Sequence, residues 1–578
     1  TLRAWVAAGA PAPEDEAPGR WEHWAFTAPQ RTSPPNPPAA HSSWPRNAID
    51  RFILARLSSE GIAPAPEADR ITLLRRVALD LTGLPPTPAE TAAFLADASP
   101  GAYERAVDRL LASPHFGERW ARPWLDVARY ADSNGYSIDA PRQIWKYRDW
   151  VVGALNRDLP FDQFVIEQLA GDLLPNPTVD QRVATGFNRN TQINQEGGID
   201  PEQFRVEAVL DRVNTYGAAF LGLTVSCAQC HDHKFDPITQ RDYYRLYAFF
   251  NNSVDDGHGD RRPKSIGVLH FKSDGAADDE LESELASLRE QLAALFEQHG
   301  TEIEEWRRQL TPENRDKKVS RGTRAALDVP WDKLGFNQRR SVYPVARPGD
   351  ADFKRLNDRL STLQRRESQG LSTLVMEELP GGRPSTIFIK GDFTRPGDPV
   401  TPGTPVILPP LKAEKPNRLD LARWTVDPAN PLPARVFVNR VWQQYFGRGI
   451  VETENDFGSQ GTPPSHPELL DWLATELVAR GWSQKALHRL IVTSATYRQS
   501  SRHRADLEVS DPVNRLLARQ GRLRLDAEIV RDAALAASGL LVPKLGGAPV
   551  FPPQPDGVMS LGQVKREWKP SSGDDRHR

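Results

Sequence analysis

Apolar residues recur every three to four positions from Asn47 to about Asn252, which is the spacing of one buried helical face. The clearest runs are Ile49, Phe52, Ile53 and Leu57, and then Leu73, Leu74, Val77 and Leu81. The prolines of residues 85–88 interrupt the pattern, and Thr87 or Pro88 provides a start signal for the next helix. This part of the chain is therefore predicted to be mostly helical.

A second pattern lies between residues 278 and 310, where leucines alternate four and three positions apart among charged residues. The leucines are Leu281, Leu285, Leu288, Leu292 and Leu295. This spacing predicts a short coiled-coil seam. A later run of Leu356, Leu360 and Leu363 predicts an antiparallel partner helix, with residues 330–348 as the connection. We interpret this hairpin as a spacer, because a charge-rich heptad run encodes packing.

The pattern changes again at residues 386–392 and 400–408, which predict two short strands separated by a Pro/Gly turn. Helical spacing returns from about Asn417 and continues to about Leu541. No repeat of fixed period is visible. The predicted fold class is mainly α: a multi-domain helical protein with a short coiled-coil hairpin and a small β segment between two helical domains.

Composition narrows the possible partners. The 578 residues are enough for about two to four domains. Because 73 basic residues face 76 acidic ones, the net charge of -3 gives no reason to expect nucleic acid or an anionic membrane as a partner. The apolar runs are also too short for a transmembrane segment.

The two ends of the sequence suggest missing parts. Residues 1–10 have the pattern of the last turns of an amphipathic helix, so residues 1–18 are interpreted as the tail of a missing upstream module. Residues 11–48 are rich in Pro, Ala and Ser around an aromatic island at 21–26, which indicates a linker with one docked patch. The C-terminal helical domain is expected to be truncated.

The most informative motif is Cys-Ala-Gln-Cys-His at residues 227–231. Cys227 and Cys230 are the only cysteines of the chain, and His231 follows directly. This is the attachment pattern of a c-type haem, in which the thiols bond the two vinyl groups and the histidine is the proximal iron ligand. Three alternatives stay open: a dithiol or disulfide, a zinc site completed by His233, and a chance occurrence.

The sixth ligand of such a haem is less clear from the sequence. His115, which precedes a helical segment, is the candidate distal ligand, and an open or water-bound iron is the alternative. His23, His233 and His258 are further options. The two methionines, Met376 and Met559, lie in no loop that resembles a ligand segment.

Residues around the motif could complete the haem site. Five rings of the following helix could form an aromatic wall or belong to the ordinary core: Tyr243, Tyr244, Tyr247, Phe249 and Phe250. Four arginines could pair with propionates, although solvation at the surface is expected for at least two of them: Arg205, Arg212, Arg241 and Arg245.

Two acidic clusters suggest other chemistry. Asp132, Asn134 and Asp139 have oxygen atoms at calcium-like spacing, but Gly135 is misplaced for an EF-hand, so calcium competes with a capped turn. The loop with Glu196, Asp200 and Glu202 could serve as paired acid and base. Initiation of a helix at Asp200 is the simpler explanation of that loop.

Several long motifs resemble the planctomycete cytochrome c-like family, a domain of unknown function. They are residues 162–175 (DQFVIEQLAGDLLP), 227–238 (CAQCHDHKFDPI), 79–86 (LDLTGLPP) and 113–119 (SPHFGER). Residues 412–578 are similar to the planctomycete-specific C-terminal domain of unknown function, through 439–442 (NRVW) and 455–458 (NDFG). The resemblance implies a cytochrome c-like helical domain at 19–265, a coiled-coil insertion at 266–380, a short β connection at 381–411 and a helical domain at 412–578. It also implies an upstream cytochrome module in the native chain.

The leading hypothesis is an exported protein, periplasmic or at the cell surface, with one covalent haem c. It would act in electron transfer with a redox partner protein, or as the haem-bearing part of an oxidoreductase. One rival is a hydrolytic or carbohydrate-processing enzyme that uses Glu196, Asp200, Glu202, Asp132 or Asp139. The other is a scaffold that holds a disulfide or zinc at the cysteines.

Overall fold

The computed structural model describes residues 23–255, 267–272, 276–311, 321–379, 381–555, 557–558 and 567–578. The chain forms two compact units, one of Thr1–Gly259 with Val375–Arg578 and the other of Asp260–Leu374. The described residues contain 21 α-helices and two sheets of two strands each. The predicted mainly-α fold is confirmed. No helix among the described residues is both long and apolar enough to cross a membrane.

The N-terminal part of the larger unit consists of ten helices. They are α1 (Ala48–Ser59), α2 (Arg70–Thr82), α3 (Pro88–Ala96), α4 (Ala102–Leu111), α5 (His115–Val127), α6 (Trp145–Asn156), α7 (Phe161–Ala170), α8 (Val179–Ala184), α9 (Pro201–Tyr216) and α10 (Gln240–Asn251). Thr87 caps α3 with Pro88 at its first position, as the sequence predicts. The predicted helix tail at residues 1–10 lies outside the described residues.

The C-terminal part of the same unit contains two strands and six helices. They are β3 (Ser385–Phe388), β4 (Pro396–Val400), α16 (Arg418–Thr425), α17 (Pro433–Phe446), α18 (Pro467–Ala479), α19 (Gln484–Val492), α20 (Ala495–Arg498) and α21 (Ala527–Ala537). The second predicted strand, at 400–408, is wrong: strand β4 ends at Val400, and residues 401–408 are irregular.

Buried polar contacts join the two parts of the larger unit. Asp50 on α1 is fully buried and accepts hydrogen bonds from the backbone N–H groups of Ala495 and Thr496 at 2.9 and 2.8 Å. Arg418 on α16 is 1% exposed and donates to both carboxylate oxygens of Asp172, at 3.0 and 2.6 Å. Because each buried charge has several partners, neither part can separate without leaving charges unpaired.

The aromatic core of the larger unit also crosses this boundary. Phe161 on α7 stacks on Phe437 of α17 with ring centroids 3.8 Å apart. His488 on α19 lies 4.0 Å from the ring of Trp120 on α5. Trp24 belongs to the predicted docked patch, where it starts a single 3₁₀ turn and lies 5.5 Å from Phe457. The two helical parts therefore share one core.

The smaller unit is a helical hairpin closed by a strand pair. Its elements are β1 (Val268–Phe271), α11 (Asp279–Gln298), α12 (Gly300–Arg308), α13 (Arg321–Ala326), α14 (Phe336–Ala346), α15 (Ala351–Gln369) and β2 (Leu371–Leu374). The predicted leucines of α11 and α15 pack together in its core, with Phe296 in the seam and Leu295 only partly buried. Ion pairs between Asp278 and Arg366 and between Glu284 and Arg359 confirm the antiparallel arrangement. The expected simple connection at 330–348 instead contains helix α14.

Candidate functional site

The Cys-Ala-Gln-Cys-His motif follows directly on an irregular end of α9. The helix continues as a π-helical turn, Gly217–Leu221, and stops at Gly222, whose φ of +58° is left-handed. A Cβ on Gly217 would lie 2.7 Å from a methyl carbon of Val225. Because Gly217 has no side chain, the chain can turn back close to it and enter a 3₁₀ turn, Val225–Gln229, that carries the first cysteine. Such π-helical turns are frequent at functional sites.

Helix α10 holds this segment in place through hydrogen bonds. Gln240 Nε2 and the Tyr244 hydroxyl both donate to the backbone carbonyl oxygen of Gln229, each at 3.0 Å. The backbone N–H of Gln240 donates to Asp232 Oδ1 at 2.8 Å. Ala228, between the two cysteines, is fully buried. The motif is therefore anchored by its middle and by its C-terminal side, whereas its reactive side chains point outward.

Both cysteines and His231 are exposed, and both thiols are free. The Nδ1 atom of His231 lies 2.7 Å from the backbone carbonyl oxygen of Asp232. A carbonyl oxygen can only accept, so in the neutral ring Nδ1 carries the proton and Nε2 keeps its lone pair. This is the tautomer that a histidine needs to bind a metal through Nε2, with the second nitrogen oriented by a backbone carbonyl. The three groups that hold a c-type haem therefore fit that cofactor chemically.

His233 has the opposite tautomer. Its Nδ1 accepts the backbone N–H of Asp236 at 2.8 Å and that of Phe235 at 3.3 Å. The proton of the neutral ring must then be on Nε2, which leaves no lone pair for a metal. His233 stabilises the loop after the motif. Among the described residues, no group of three or more His, Cys, Asp or Glu side chains is arranged to hold a metal ion.

Asp236 connects this loop to the C-terminal part of the larger unit. Its Oδ1 atom accepts hydrogen bonds from the backbone N–H and hydroxyl of Ser459, at 2.7 and 2.8 Å. A Cβ on Gly458 would come within 2.3 Å of the same carboxylate. Burial lowers the pKa of His23, although the negative charges of Asp236 and Asp456 oppose that shift. Burial raises the pKa of Asp456, and the charge of Asp236 adds to that increase.

Cys230 also contacts the strand pair. A Cβ on Gly391, in the turn between β3 and β4, would lie 2.7 Å from Cys230 Sγ. Gly391 has a φ of +77°, so this backbone both adopts a left-handed conformation and approaches the sulfur closely. Burial raises the pKa of Tyr244, and the nearby Cys230 thiol adds to that shift. The second thiol is thus held between α10 and the β3–β4 turn.

Of the two interpretations of the α10 rings, an aromatic wall or the ordinary core, the structure supports the core. Tyr243, Tyr244 and Tyr247 are at most 1% exposed. Phe388 of β3 packs against Tyr244 and Tyr247, and these rings belong to the core together with Phe249 and Phe250. The exposed apolar side chains near the motif are instead Phe235 and Ile389, at 45% and 42%.

Two of the four arginines proposed for haem propionates are buried and already paired. Arg205 forms two hydrogen bonds with Glu202, at 2.8 and 2.7 Å, and Arg212 pairs with Asp255 at 2.5 Å. Both expectations, pairing with propionates and solvation at the surface, are therefore wrong for these two residues. Arg241 lies at the surface 3.0 Å from Asp398. Arg245 is only partly exposed and packs against the backbone at Gly403.

The candidate sixth ligands are scattered. His115 begins α5, with Nδ1 3.1 Å from Glu118 Oε2, and its described contacts do not include the cysteine motif. Met376 is buried, and its backbone N–H donates to Thr185. His258 and Met559 lie outside the described residues. His23 is shown to interact electrostatically with Asp236, in the loop that follows His231.

The acidic clusters have local structural roles. Asp200 caps α9 by accepting the backbone N–H of Glu202 at 3.0 Å, and the Arg205 guanidinium lowers the pKa of Glu202. Glu196 is partly buried in the preceding loop. In the calcium-like loop, Asp139 Oδ1 accepts the N–H of Gly135 at 2.7 Å and Asp132 accepts the Tyr130 hydroxyl at 2.5 Å. Both loops thus contain capped turns, in which the carboxylates of Asp132, Asp139, Asp200 and Glu202 already accept hydrogen bonds.

Comparison with known proteins agrees with this two-part organisation. A search of curated proteins and a search of solved structures gave no match. Residues 48–255 match the family model PSCyt2, described as a protein of unknown function (DUF1549). Residues 417–578 match PSD1, described as a protein of unknown function (DUF1553). In the sequence, the smaller unit and the β3–β4 pair come after the first matched region and before the second. The chain therefore carries a region that matches PSCyt2 followed by one that matches PSD1, in the order that its sequence motifs predict.

Proposed function

We propose that this chain is an exported c-type haem protein that acts in electron transfer or as the haem-bearing part of an oxidoreductase. Cys227 and Cys230 would carry the porphyrin through thioether bonds, and His231 would be the proximal ligand. The supporting observation is the 2.7 Å hydrogen bond from His231 Nδ1 to the Asp232 carbonyl oxygen, which leaves the Nε2 lone pair available. When bound, the haem would supply a reversible one-electron couple.

The residues of this chain would orient and protect that group. Gln240 and Tyr244 hold the backbone between the two thiols, and Asp232 orients the imidazole. The exposed ring of Phe235 is available to cover an apolar surface. An exposed site of this kind favours exchange of electrons with another protein, so a redox partner is part of the proposal. Location in the periplasm or at the cell surface follows from the haem hypothesis.

The rival functions have less support. A zinc site of Cys227, Cys230 and His233 needs a lone pair on His233, whose Nδ1 already accepts backbone N–H groups. A hydrolase that uses Glu202 needs a carboxylate free to exchange a proton. That carboxylate is held by two hydrogen bonds from Arg205.

Expression of the full chain with a cytochrome c maturation system tests the attachment. The denatured protein is expected to be heavier by one haem, and Cys227→Ala or Cys230→Ala should weaken or abolish covalent retention. His231→Ala should leave some covalent haem but shift the Soret band, because the proximal ligand sets the spin state. His503→Ala, an exposed histidine elsewhere, is the control. A denatured mass equal to the polypeptide, with zinc in the protein, would contradict the proposal.

A redox titration separates the electron carrier from the hydrolase. The loaded protein should cycle reversibly between ferric and ferrous forms, and Glu196→Gln or Asp200→Asn should leave the potential nearly unchanged. If the acidic loop is catalytic, the same variants should lose turnover of a glycan or ester by about 10²-fold or more. A redox-silent chain that loses hydrolysis on Glu196→Gln would favour the hydrolase.

A further inference from the structure

A cavity of about 550 Å³ lies inside the larger unit between the two family domains. Its walls come from α5, α7, α9 and the π-helical turn on one side, and from α17 and α19 on the other. Small-molecule sites typically enclose about 300–1,000 Å³. The cavity is therefore large enough for a ligand of one or two rings.

The apolar part of the wall is aromatic. Trp120 and Trp124 of α5, Phe164 of α7 and Phe437 of α17 line the cavity. The rings of Trp124 and Phe164 lie 5.1 Å apart and are tilted by 64°. Aromatic rings attract the faces and edges of other aromatic rings, so a flat unsaturated ligand fits such a wall better than a flexible aliphatic one.

Five neutral amides contribute to the polar part of the wall. They are Asn214, Gln443, Gln444, Asn455 and Gln484. Side-chain amides both donate and accept hydrogen bonds, so they suit the carbonyl and hydroxyl oxygens of a neutral ligand. The Gln443 Oε1 and Trp120 Nε1 atoms are buried and form no hydrogen bond with any described residue. Buried polar atoms of this kind are normally satisfied, and a bound polar ligand would do so after a small side-chain rotation.

The four charged side chains of the wall, two acidic and two basic, balance one another in formal charge. Arg440 donates to the carbonyl oxygens of Ala218 and Ala219, which the π-helical turn leaves without a helical partner, and to Asn455 at 2.9 Å. Arg129 forms an ion pair with Asp211 at 3.1 Å, but its three buried guanidinium nitrogens form no hydrogen bond of good geometry with a described residue. The acidic wall residues Asp126 and Glu454 bring the formal charge of the lining to zero, since His488 is neutral at pH 7. A neutral ligand is therefore compatible with the net charge of this lining.

One hydrogen bond connects the cavity wall to Tyr243 of helix α10. Asn214 Oδ1 accepts the hydroxyl of Tyr243 at 3.1 Å. Tyr243 in turn interacts electrostatically with the Cys230 thiol. A ligand that contacts Asn214 would thus be separated from the motif by a single tyrosine.

We propose that this cavity binds a neutral, planar aromatic compound with carbonyl or hydroxyl oxygens at its edge, which is the chemistry of a quinone or quinol. The aromatic walls would contact the faces of the ring, and the amides would hydrogen-bond its oxygens. The proposal concerns binding at the cavity and goes beyond the haem function, because none of its supporting contacts depends on a bound haem.

Isothermal titration calorimetry of the full chain with 2,3-dimethyl-1,4-naphthoquinone tests this site. In this probe both carbons of the C2=C3 double bond of the quinone carry methyl groups, so the free thiols cannot add to them. Saturable binding at one site is expected. Naphthalene, which has the ring without the oxygens, should bind at least about tenfold more weakly, because the amides would lose their partners.

The variant Gln444→Phe should fill the amide side of the cavity and weaken binding of the naphthoquinone at least about tenfold. Gln163→Phe is the matched control, since Gln163 is exposed on α7 and outside the lining. Unchanged circular dichroism would show that both variants fold. The proposal is overturned if the folded wild-type chain gives no saturable binding, if Gln444→Phe binds as well as Gln163→Phe, or if a neutral disaccharide such as cellobiose binds more tightly than the naphthoquinone.

Discussion

Replacement of His488 by glutamine should remove much of the acid sensitivity of the larger unit. His488 is 1% exposed and is enclosed by the rings of Trp120 and Phe116. Burial lowers its pKa from 6.5 to about 3, and the charges of Arg119 and Lys485 add to the shift. The folded protein therefore keeps this imidazole neutral at a pH where the unfolded chain protonates it.

The size of the effect follows from this pKa difference. Because the folded pKa is depressed, the stabilising contribution of His488 is fully present above pH 6.5 and is lost as the pH falls towards 3. At pH 5 the unfolded histidine is about 1.5 pH units below its pKa. At about 1.4 kcal/mol per unit, wild type should lose about 2 kcal/mol between pH 7 and pH 5 from this group. Glutamine does not titrate, yet its Oε1 can still accept the Tyr445 hydroxyl that lies 2.8 Å from His488 Nδ1.

Urea unfolding at pH 7 and pH 5, followed by circular dichroism, measures the difference. His488→Gln is expected to be less stable than wild type at pH 7, because the ring contacts are lost, but its stability should fall by about 2 kcal/mol less on acidification. His503→Gln is the control, since His503 is exposed and should show the wild-type pH dependence. An identical loss of stability in wild type and His488→Gln would refute the reasoning.

Three further changes test other parts of the structure. Arg418→Met should cost about 3–5 kcal/mol in urea unfolding, because Asp172 and Glu378 lose a buried partner, whereas Arg423→Met on the exposed side of the same helix should cost little. Gly391→Ala should destabilise the protein by about 1–3 kcal/mol, and by more than Gly381→Ala. Both glycines have a positive φ, but of the two only Gly391 lies close to Cys230. Equal losses of stability in the two variants would show that this contact has no effect. Burial raises the pKa of Asp80 to about 6, so ionisation of this carboxyl in the folded protein lowers the stability of wild type as the pH rises. The stability of Asp80→Asn relative to wild type should therefore increase by up to about 3 kcal/mol between pH 4 and pH 7.5. Parallel pH profiles of variant and wild type would exclude this.

The helices could be predicted because their signals are local. The leucine spacing of α11 and α15 predicts the seam that forms, and Thr87 with Pro88 predicts the start of α3. Small errors arise where packing chooses between neighbours, as when Phe296 enters the seam in place of Leu295. The strand at 400–408 was less predictable, because a strand depends on a partner. Ser385 pairs with Val400, and the ladder between β3 and β4 includes no residue beyond Val400.

The candidate site likewise has some features that could be predicted from the sequence and others that could not. The spacing of Cys227, Cys230 and His231 is visible in the sequence, because the pattern proposed for haem attachment lies within five consecutive residues. The tautomer of His231, the burial of the α10 rings and the pairing of Arg205 depend on the positions of neighbouring groups in space.

By itself, the sequence determined the helical class, the coiled-coil hairpin, the two family domains and the motif at residues 227–231. Only the tertiary structure decided which side chains meet. The pair of Asp236 with Ser459 joins residues 223 positions apart, and that of Arg418 with Asp172 joins residues 246 positions apart. Local periodicity encodes which face of a helix is buried, but it contains no information about the element that buries it. The cavity between α5, α9 and α17 is therefore a property of the folded chain.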